Sequence, residues 1–264
     1  FQSDNYSSPS KKPHILSIDL PDTITTIGDS AFYGNEINNI VLPSSITSIG
    51  NYAFAYNKAT KLSLPEHLNS MGNNAFSNNK ISDIVIPNSL STIPNSAFAY
   101  NSSNSVTIPN SVTQIGDFAF DSLSATNVVI PDSVVKIGTG SFQDNDKLTS
   151  LYISNKLTEI SESAFNGSTS LQKVDIPNSV TKIDNYAFYN HNINKYTVNM
   201  SKNTTSIGKD AFSYYSFSSS DTLDTLNDKG IYNFNGSKPT IDSSAFLLYD
   251  RDGDSKKSNG IFNN

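Results

Sequence analysis

A pair of residues, alanine followed by phenylalanine, recurs along this chain at a nearly fixed interval. The phenylalanines of these pairs are Phe32, Phe54, Phe76, Phe98, Phe120, Phe142, Phe165, Phe188, Phe212 and Phe246, and only Phe142 follows serine instead of alanine. The interval is constant from Phe32 to Phe142, lengthens slightly as far as Phe212, and is clearly longer before Phe246. A period of roughly 20–50 residues indicates a solenoid, in which each coil buries its apolar face against its neighbours.

Each unit contains a short stretch that favours a β-strand, such as Ile40-Val41-Leu42. The two outer residues are large and apolar in every unit, whereas the middle residue varies from valine to serine, aspartate or tyrosine. Because side chains alternate along a strand, this pattern predicts that the outer residues are buried and the middle residue lies on an open face. A proline such as Pro43 then ends the strand, since it has no N–H to donate to a ladder.

The second part of each unit leads to the alanine and phenylalanine. An apolar pair such as Ile46 and Ile49 comes first, followed by a glycine such as Gly50 that we expect in a turn requiring a permissive φ. We expect the Ala-Phe pair in a turn or a single turn of helix, with each phenylalanine stacked on those of the neighbouring coils. Ten of the fifteen phenylalanines occupy this position, so the aromatic content is mainly core.

An asparagine often follows three residues after the phenylalanine, as at Asn35, Asn57, Asn79, Asn101 and Asn145. An amide at a tight turn can form hydrogen bonds with backbone groups of its own and the next coil, which burial would otherwise leave without partners. We therefore interpret these asparagines as structural. Leu123, Ser168, His191 and Tyr215 interrupt the row.

The complete unit resembles a known repeat. Residues 108–120 read Ile-Pro-Asn-Ser-Val-Thr-Gln-Ile-Gly-Asp-Phe-Ala-Phe, which is similar throughout to the leucine-rich repeat of the BspA-like (Treponema pallidum-type) class. The resemblance covers roughly residues 15–212, with a degenerate last copy at 239–246. It implies a right-handed solenoid with a parallel sheet on its concave side. It also implies a surface or secreted protein of bacteria or some protozoan parasites that functions in adhesion or protein recognition, without a shared set of catalytic residues.

We therefore predict an α/β solenoid of about ten repeats, each of roughly 22–24 residues. Short parallel strands would form the concave face, and turns with short helical or 3-10 segments would form the convex face. Residues 1–13 are polar with spaced prolines, which predicts a flexible linker. The solenoid would occupy residues 14–212. Residues 213–264 break the period and are predicted to form an irregular C-terminal cap that includes the degenerate repeat.

Composition excludes several classes of function. The 264-residue chain has a net charge of −6 and no basic stripe, which disfavours nucleic acid and anionic membrane surfaces as partners. It has no cysteine, so disulfides, thiolate catalysis and cysteine-based metal sites are excluded. No apolar run approaches the roughly 20 residues of a membrane-spanning helix. We expect a monomer that is extracellular, either secreted or attached to a cell wall.

We do not expect an enzyme or a bound cofactor. His14, His67 and His191 lie in different units at unrelated positions, and repeat geometry gives no reason for them to converge on a nucleophile. One metal candidate is Asp250, Asp252 and Asp254, whose alternating carboxylates resemble the start of an EF-hand calcium loop. Ser255 and Ile261 stand where that motif requires glycine and glutamate, so a solvated acidic turn is the competing interpretation.

The main binding hypothesis rests on the middle residues of the predicted strands. The candidate partner-binding residues are Val41, Val85, Thr107, Val129, Tyr152 and Asp175. An exposed apolar strip with a polar rim often marks a partner site, and the competing interpretation is that valine is present simply because it suits strands. Tyrosines beside the phenylalanine column form a second candidate surface: Tyr52, Tyr56, Tyr100, Tyr186, Tyr189, Tyr214 and Tyr215.

Three functions remain open from the sequence. The first is a recognition or adhesion module for a protein or glycan on a host or neighbouring cell, acting through the concave face. The second is a structural spacer that holds another domain away from the cell wall. The third is a carbohydrate-binding accessory module that acts through the tyrosines.

Overall fold

The computed structural model describes residues 14–191, 196–215, 230–233, 240–242, 244–245, 247–249, 255–257 and 261–263. These residues form a solenoid of short parallel β-strands with about eight turns. The predicted linker, residues 1–13, lies outside the described residues. The described strands of residues 213–264 continue the ladders of the coils before them.

The first ladder contains the strands predicted from the Ile-x-Leu pattern. Its members are β2 (Asn39–Val41), β4 (Lys61–Ser63), β6 (Asp83–Val85), β8 (Ser105–Thr107), β10 (Asn127–Val129), β12 (Ser150–Tyr152), β14 (Lys173–Asp175), β17 (Tyr196–Asn199), β20 (Gly230–Asn233) and β24 (Ile261–Asn263). Equivalent residues are paired within β2–β4, β6–β8, β10–β12 and β14–β17–β20–β24, as Val41 is with Ser63, and the strands between these sets lie side by side without regular pairing. Ile40 and Leu42 are buried while Val41 is exposed, which confirms the predicted alternation.

A second ladder, which the sequence analysis did not predict, runs along the residues just before the glycine. Its two-residue strands are β1 (Thr26–Ile27), β3 (Ser48–Ile49), β5 (Ser70–Met71), β7 (Thr92–Ile93), β9 (Gln114–Ile115), β11 (Lys136–Ile137), β13 (Glu159–Ile160), β15 (Lys182–Ile183), β18 (Ser206–Ile207) and β21 (Thr240–Ile241). In most members a polar residue faces outward and the following isoleucine is buried. Two residues are too few for a periodic signal to identify a strand.

A third, shorter ladder is present among the last described coils. It pairs β16 (Asn190–His191), β19 (Tyr214–Tyr215) and β22 (Leu247–Tyr249) in parallel, and β23 (Ser255–Lys257) joins β22 in the antiparallel direction. The three parallel strands begin one or two residues after the phenylalanine of their coils. They therefore occupy the place where earlier coils carry the asparagine.

The phenylalanine column forms the centre of the core, as predicted. From Phe32 to Phe212 each ring stacks on the next, with centroids 5.0–5.8 Å apart and ring planes within 4–21° of parallel. The rings between Phe54 and Phe212 are almost completely buried. The nine stacked rings define eight steps, so the prediction of about ten repeats is wrong by about two. Each step between two successive rings corresponds to one turn of the solenoid. The tenth phenylalanine of the predicted column, Phe246, lies outside the described residues.

The Ala-Phe segment is a turn in every described coil, and none of the described residues is helical. The predicted helical or 3-10 segments, and with them the α/β class, are therefore wrong. Left-handed backbone flanks the pair, as at Tyr52 (φ 55°) and Tyr56 (φ 58°), and such residues cannot continue a right-handed helix. Between them, the Phe54 N–H donates to Ala75 O of the next coil at 2.8 Å.

The asparagines form the buried amide row that the sequence predicted, but the direction of their bonds differs. Asn57 Nδ2 donates to Phe54 O of its own coil at 3.1 Å and to Phe32 O of the preceding coil at 2.8 Å. Its Oδ1 accepts the Ile37 N–H at 3.1 Å, also from the preceding coil. The prediction of bonds to the next coil is wrong because the asparagine follows its phenylalanine, where the turn brings its amide back over the coil before.

The glycine after the second-ladder strand is needed for space and not for its φ. Gly50, Gly72, Gly116 and Gly138 do not have positive φ, so the predicted reason for glycine is wrong. A Cβ at Gly72 would lie 2.4 Å from the Asn51 backbone nitrogen of the preceding coil. At these four glycines the preceding coil lies closer than a side chain permits.

Candidate binding surfaces

The first ladder presents a row of exposed side chains at its open positions. Val41, Val85, Val129 and Tyr152 have 64%, 63%, 48% and 45% of their surface exposed. Ser63 and Thr107 lie between them in register, beside Val41 and Val85. With coils about 4.8 Å apart, the row from Val41 to Tyr152 is about 24 Å long. We call these six residues the first-ladder strip.

Polar groups hold the tyrosine at the end of the strip. The Tyr152 hydroxyl lies 3.3 Å from Asp132 Oδ1 and accepts a hydrogen bond from Asn155 Nδ2 at 2.7 Å. Partial desolvation and the nearby Asp132 carboxylate raise the pKa of Tyr152, so it stays neutral at physiological pH. The Asn155 backbone N–H donates to Asp132 at 2.8 Å, and this hydrogen bond is the main reason that the pKa of Asp132 is lowered. The ring of Tyr152 is therefore oriented before any partner binds.

Beyond Tyr152 the ladder becomes polar. Asp175 accepts hydrogen bonds from Lys173 Nζ at 2.8 Å and Asn199 Nδ2 at 2.5 Å. Partial burial alone would raise the pKa of Asp175, but these two donors outweigh it and the pKa is lowered. Asp175 is therefore an exposed, paired carboxylate next to the apolar strip, and its predicted role in binding stays a prediction.

The turn face carries a cluster of exposed aromatic side chains. Tyr33, Tyr52, Tyr56 and Tyr100 have 48%, 42%, 51% and 55% of their surface exposed. The Tyr33 ring contacts Tyr52 edge-on, with centroids 6.3 Å apart, and Tyr56 at 5.3 Å. Three of these residues were predicted from the sequence, and Tyr33 was not, because later coils fill its position mainly with smaller residues.

The other tyrosines of the predicted second surface differ from this cluster. Tyr186 and Tyr189 are half-buried and contact each other edge-on at 5.7 Å. Lys209 Nζ lies 5.7 Å from the centre of the Tyr186 ring. The side chains of Tyr214 and Tyr215 lie outside the described part of the structure.

A groove of about 550 Å³ lies along the second ladder, and the sequence analysis missed it together with that ladder. It is lined by β5, β7 and β9 and by the polar residues that follow them, including Asn73, Asn95 and Asp117. Asn95 Oδ1 accepts the Asp117 N–H at 2.9 Å, and Asp117 Oδ1 accepts the Thr139 N–H at 2.9 Å. These oxygens join neighbouring coils, so the groove offers a ligand few unused acceptors.

The predicted calcium ligands Asp250, Asp252 and Asp254 lie outside the described residues. Within the part of the chain that is described, no three histidine, aspartate or glutamate side chains come together in a way that could hold a metal ion. The described residues also include no helix with the length and apolar character needed to cross a bilayer.

The family assignment follows from the repeat itself. The profile described as "BspA type Leucine rich repeat region" matches six copies, over residues 10–103 and 91–218. The chain belongs to the BspA-type leucine-rich repeat family. Leucine-rich repeats of this type are a non-catalytic kind of scaffold. A search of the curated proteins found no match to this BspA-type chain.

Several solved structures are similar to this BspA-type chain. A leucine-rich cell surface protein from Faecalibacterium prausnitzii is 20% identical, with 78% of this chain and 86% of that chain covered and a TM-score of 0.32. A leucine-rich repeat protein from Bacteroides ovatus is 20% identical, with 75% and 71% covered and a TM-score of 0.39. The pneumococcal vaccine antigen PcpA is 17% identical, with 95% and 88% covered and a TM-score of 0.42.

Proposed function

We propose that this chain is an extracellular recognition module of a cell-surface or secreted protein, which binds a protein on a host or neighbouring cell through the first-ladder strip. The observation that carries the proposal is the exposure of Val41, Val85, Val129 and Tyr152 at one register of a continuous face. Burying such apolar side chains against a partner is favourable, and serine and threonine between them keep the free surface soluble.

The scaffold below the strip supports this role. Ile40, Ile84 and Val128, the inward neighbours of the three valines, are completely or almost completely buried. The backbone that carries the strip is therefore fixed by the core. A surface that is already ordered loses little conformational freedom on binding, so more of the contact energy remains as affinity.

The rim of the strip favours orientation of the partner. Lys61, Asp83 and Lys173 are exposed on the strands that carry the strip or lie next to it. Hydrogen bonds from Ser105 and Ser82 lower the pKa of Asp83, so this carboxylate stays charged at neutral pH. Charged rims mainly determine association rate and register, whereas the apolar centre provides affinity.

The test is an array of purified extracellular host proteins, probed with the full chain and two double variants. V129S/Y152A alters the strip. T92A/Q114A, at open positions of the second ladder, is the matched control. For the strongest array partner, we expect binding to weaken at least about tenfold with V129S/Y152A and to stay unchanged with the control.

Thermal melts of both variants should match the parent chain because the altered side chains are exposed. Equal binding by V129S/Y152A would overturn the role of the strip. The absence of any saturable protein partner would favour the spacer function.

A further inference from the structure

The turn face carries aromatic residues where the backbone disfavours them. A turn has two left-handed positions, one just before the alanine and one two residues after the phenylalanine. At the second position most described coils use residues that tolerate this conformation, namely Gly34, Asn78, Ser122, Asp144 and Gly167. Tyr56 and Tyr100 are the exceptions at this position. A bulky residue with positive φ is strained, so tyrosine is locally unfavourable here.

Two of the three bulky residues at the first position, Phe118 and Tyr186, have structural contacts that account for them, whereas Tyr52 packs edge-on against the exposed Tyr33 ring. The Phe118 ring covers Gly140 of the next coil so closely that a Cβ there would lie 2.4 Å from it. The Tyr186 ring packs edge-on against Tyr189 and lies beneath the Lys209 ammonium.

Burial in the core does not offset the backbone strain at Tyr56 and Tyr100. Roughly half of each side chain is exposed, and the phenylalanine column beneath them is complete without their rings. Asn78, at the same position of the coil between them, shows that the same turn forms with asparagine. Residues that are locally unfavourable, exposed and dispensable to the fold indicate a function for the surface.

The geometry defines a straight row along the solenoid axis. Tyr56, Asn78 and Tyr100 occupy the second left-handed position of three successive coils, so the two rings are about 10 Å apart. The side-chain amide of Asn78 forms no hydrogen bond within the described residues, so it can still donate and accept. The row therefore alternates ring, amide and ring.

Both rings are held in place in the free protein. Tyr33 packs against Tyr56, with centroids 5.3 Å apart. The nearby Asp121 carboxylate raises the pKa of Tyr100 through its charge. Asp121 is itself buried, and burial raises its pKa. Fixed rings give up little rotamer freedom when a ligand binds.

We propose that the row of Tyr56, Asn78 and Tyr100 binds an extended β-1,4-linked glycan. The face of a pyranose ring presents C–H groups that suit the negative face of an aromatic ring, and its edge presents hydroxyls that suit an amide. In an extended β-1,4-linked chain one sugar is close in length to the rise of one coil. Successive sugars also flip, so every second sugar presents the same face, which matches two rings on alternate coils.

A protein partner fits this row less well. Asn78 separates the Tyr56 and Tyr100 rings, so the row does not form the continuous apolar centre that protein interfaces use, although Tyr33 packs beside Tyr56 at one end. The neighbouring members of the same column are Gly34 on one side and Ser122 and Asp144 on the other, so no aliphatic side chain extends the row. The glycan site is on a different face from the first-ladder strip and goes beyond the function proposed above.

The test is calorimetric titration of the full chain with cellohexaose and with N-acetylchitohexaose. The variant is Y56N/Y100N, because asparagine already occupies this position at Asn78 and the variant should fold. Tyr152→Ala, an exposed tyrosine on the first ladder, is the matched control. Maltohexaose, an α-1,4-linked chain that coils, tests the requirement for an extended ligand.

We expect saturable binding of at least one β-1,4-linked hexasaccharide, at least about tenfold weaker binding by Y56N/Y100N, and unchanged binding by Tyr152→Ala. Y56N/Y100N should melt at the same temperature as the parent chain or slightly higher, because asparagine tolerates a left-handed backbone better than tyrosine does. No binding of either hexasaccharide, equal binding by Y56N/Y100N, or equal binding of maltohexaose would overturn the proposal. A variant that melts clearly lower would also overturn it, since the tyrosines would then be structural.

Discussion

The coils up to Phe142 and the coils after it are joined to their neighbours at the turn in different ways. In the first region the units all have the same length, and buried asparagines such as Asn79 join a coil to the one before through their side-chain amides, except in the Phe120 coil, which carries Leu123. In the second region the units are slightly longer, and Ser168 and His191 stand at the asparagine position. There the backbones of Asn190–His191 and Tyr214–Tyr215 pair directly as a third ladder.

The difference shows which parts of the repeat are interchangeable. The phenylalanine column runs through both regions with almost constant spacing, so the apolar stack does not depend on how the turn is stabilised. A side-chain amide and a short backbone ladder are two solutions to one problem, which is that a buried turn must find partners for its N–H and C=O groups. The third ladder, in which backbone pairs with backbone, occurs where the units are longer.

The largest expected effect is the loss of one ring from the shared column. Phe98→Ala should lower the free energy of unfolding by about 3–5 kcal/mol because it leaves a cavity between Phe76 and Phe120. Phe188→Ala, in the second region, should cost a similar amount if the column stabilises both regions equally. Urea unfolding monitored by circular dichroism measures both variants. A much smaller cost for Phe188→Ala would show that the later coils are held mainly by backbone pairing.

A smaller effect is expected from removing one buried amide in the first region. Asn79→Ala should cost about 3 kcal/mol, since each buried group left without a partner costs about 1–3 kcal/mol. The affected groups are the carbonyls of Phe54 and Phe76 and the N–H of Ala59. Asn127→Ala, at an exposed position on the first ladder, is the matched control and should stay within about 0.5 kcal/mol of the parent chain. Equal stability of the two variants in urea unfolding would contradict the structural role of the amide row.

The smallest expected effect concerns how closely the coils approach each other. Gly72→Ala should cost about 1–3 kcal/mol, because the added Cβ would lie 2.4 Å from the Asn51 nitrogen and force the coils apart. Gly28→Ala is the matched control: a Cβ there has no heavy atom within 4 Å, so its melting temperature should not fall. The coils that already carry a Cβ at this place are those of Pro94, in the first region, and of Ser161, Asp184 and Asp242, in the second. If Gly72→Ala has the same melting temperature as Gly28→Ala, the coils can separate at this position without loss of stability.

Much of the fold could be predicted because its signals repeat. The step from Phe32 to Phe54 recurs often enough to identify a column, and the alternation in Ile40-Val41-Leu42 is sufficient to assign inward and outward faces. The same alternation predicted that Val41, Val85, Val129 and Tyr152 are exposed. The structure confirms that their side chains lie on the surface. Whether these residues bind a partner stays a prediction.

Other features left no periodic signal. The second ladder uses two residues per coil, too few to distinguish a strand from a turn, and the groove beside it was missed for the same reason. Gly72 was expected in a turn because glycine is so often used for its φ, whereas here it makes room for Asn51. Tyr33 was missed because its contacts to Tyr52 and Tyr56 cross from one coil to the next.

The sequence by itself determined the repeat, the family, the aromatic column and the alternation of the first ladder, because these depend on the spacing of side chains along one chain. The tertiary structure decided the second and third ladders, the direction of the amide bonds, the left-handed turns in place of helices, and the alignment of Tyr56, Asn78 and Tyr100 across successive coils. These features depend on how closely one coil approaches the next. That distance results from the packing of all the coils together, and no single unit specifies it.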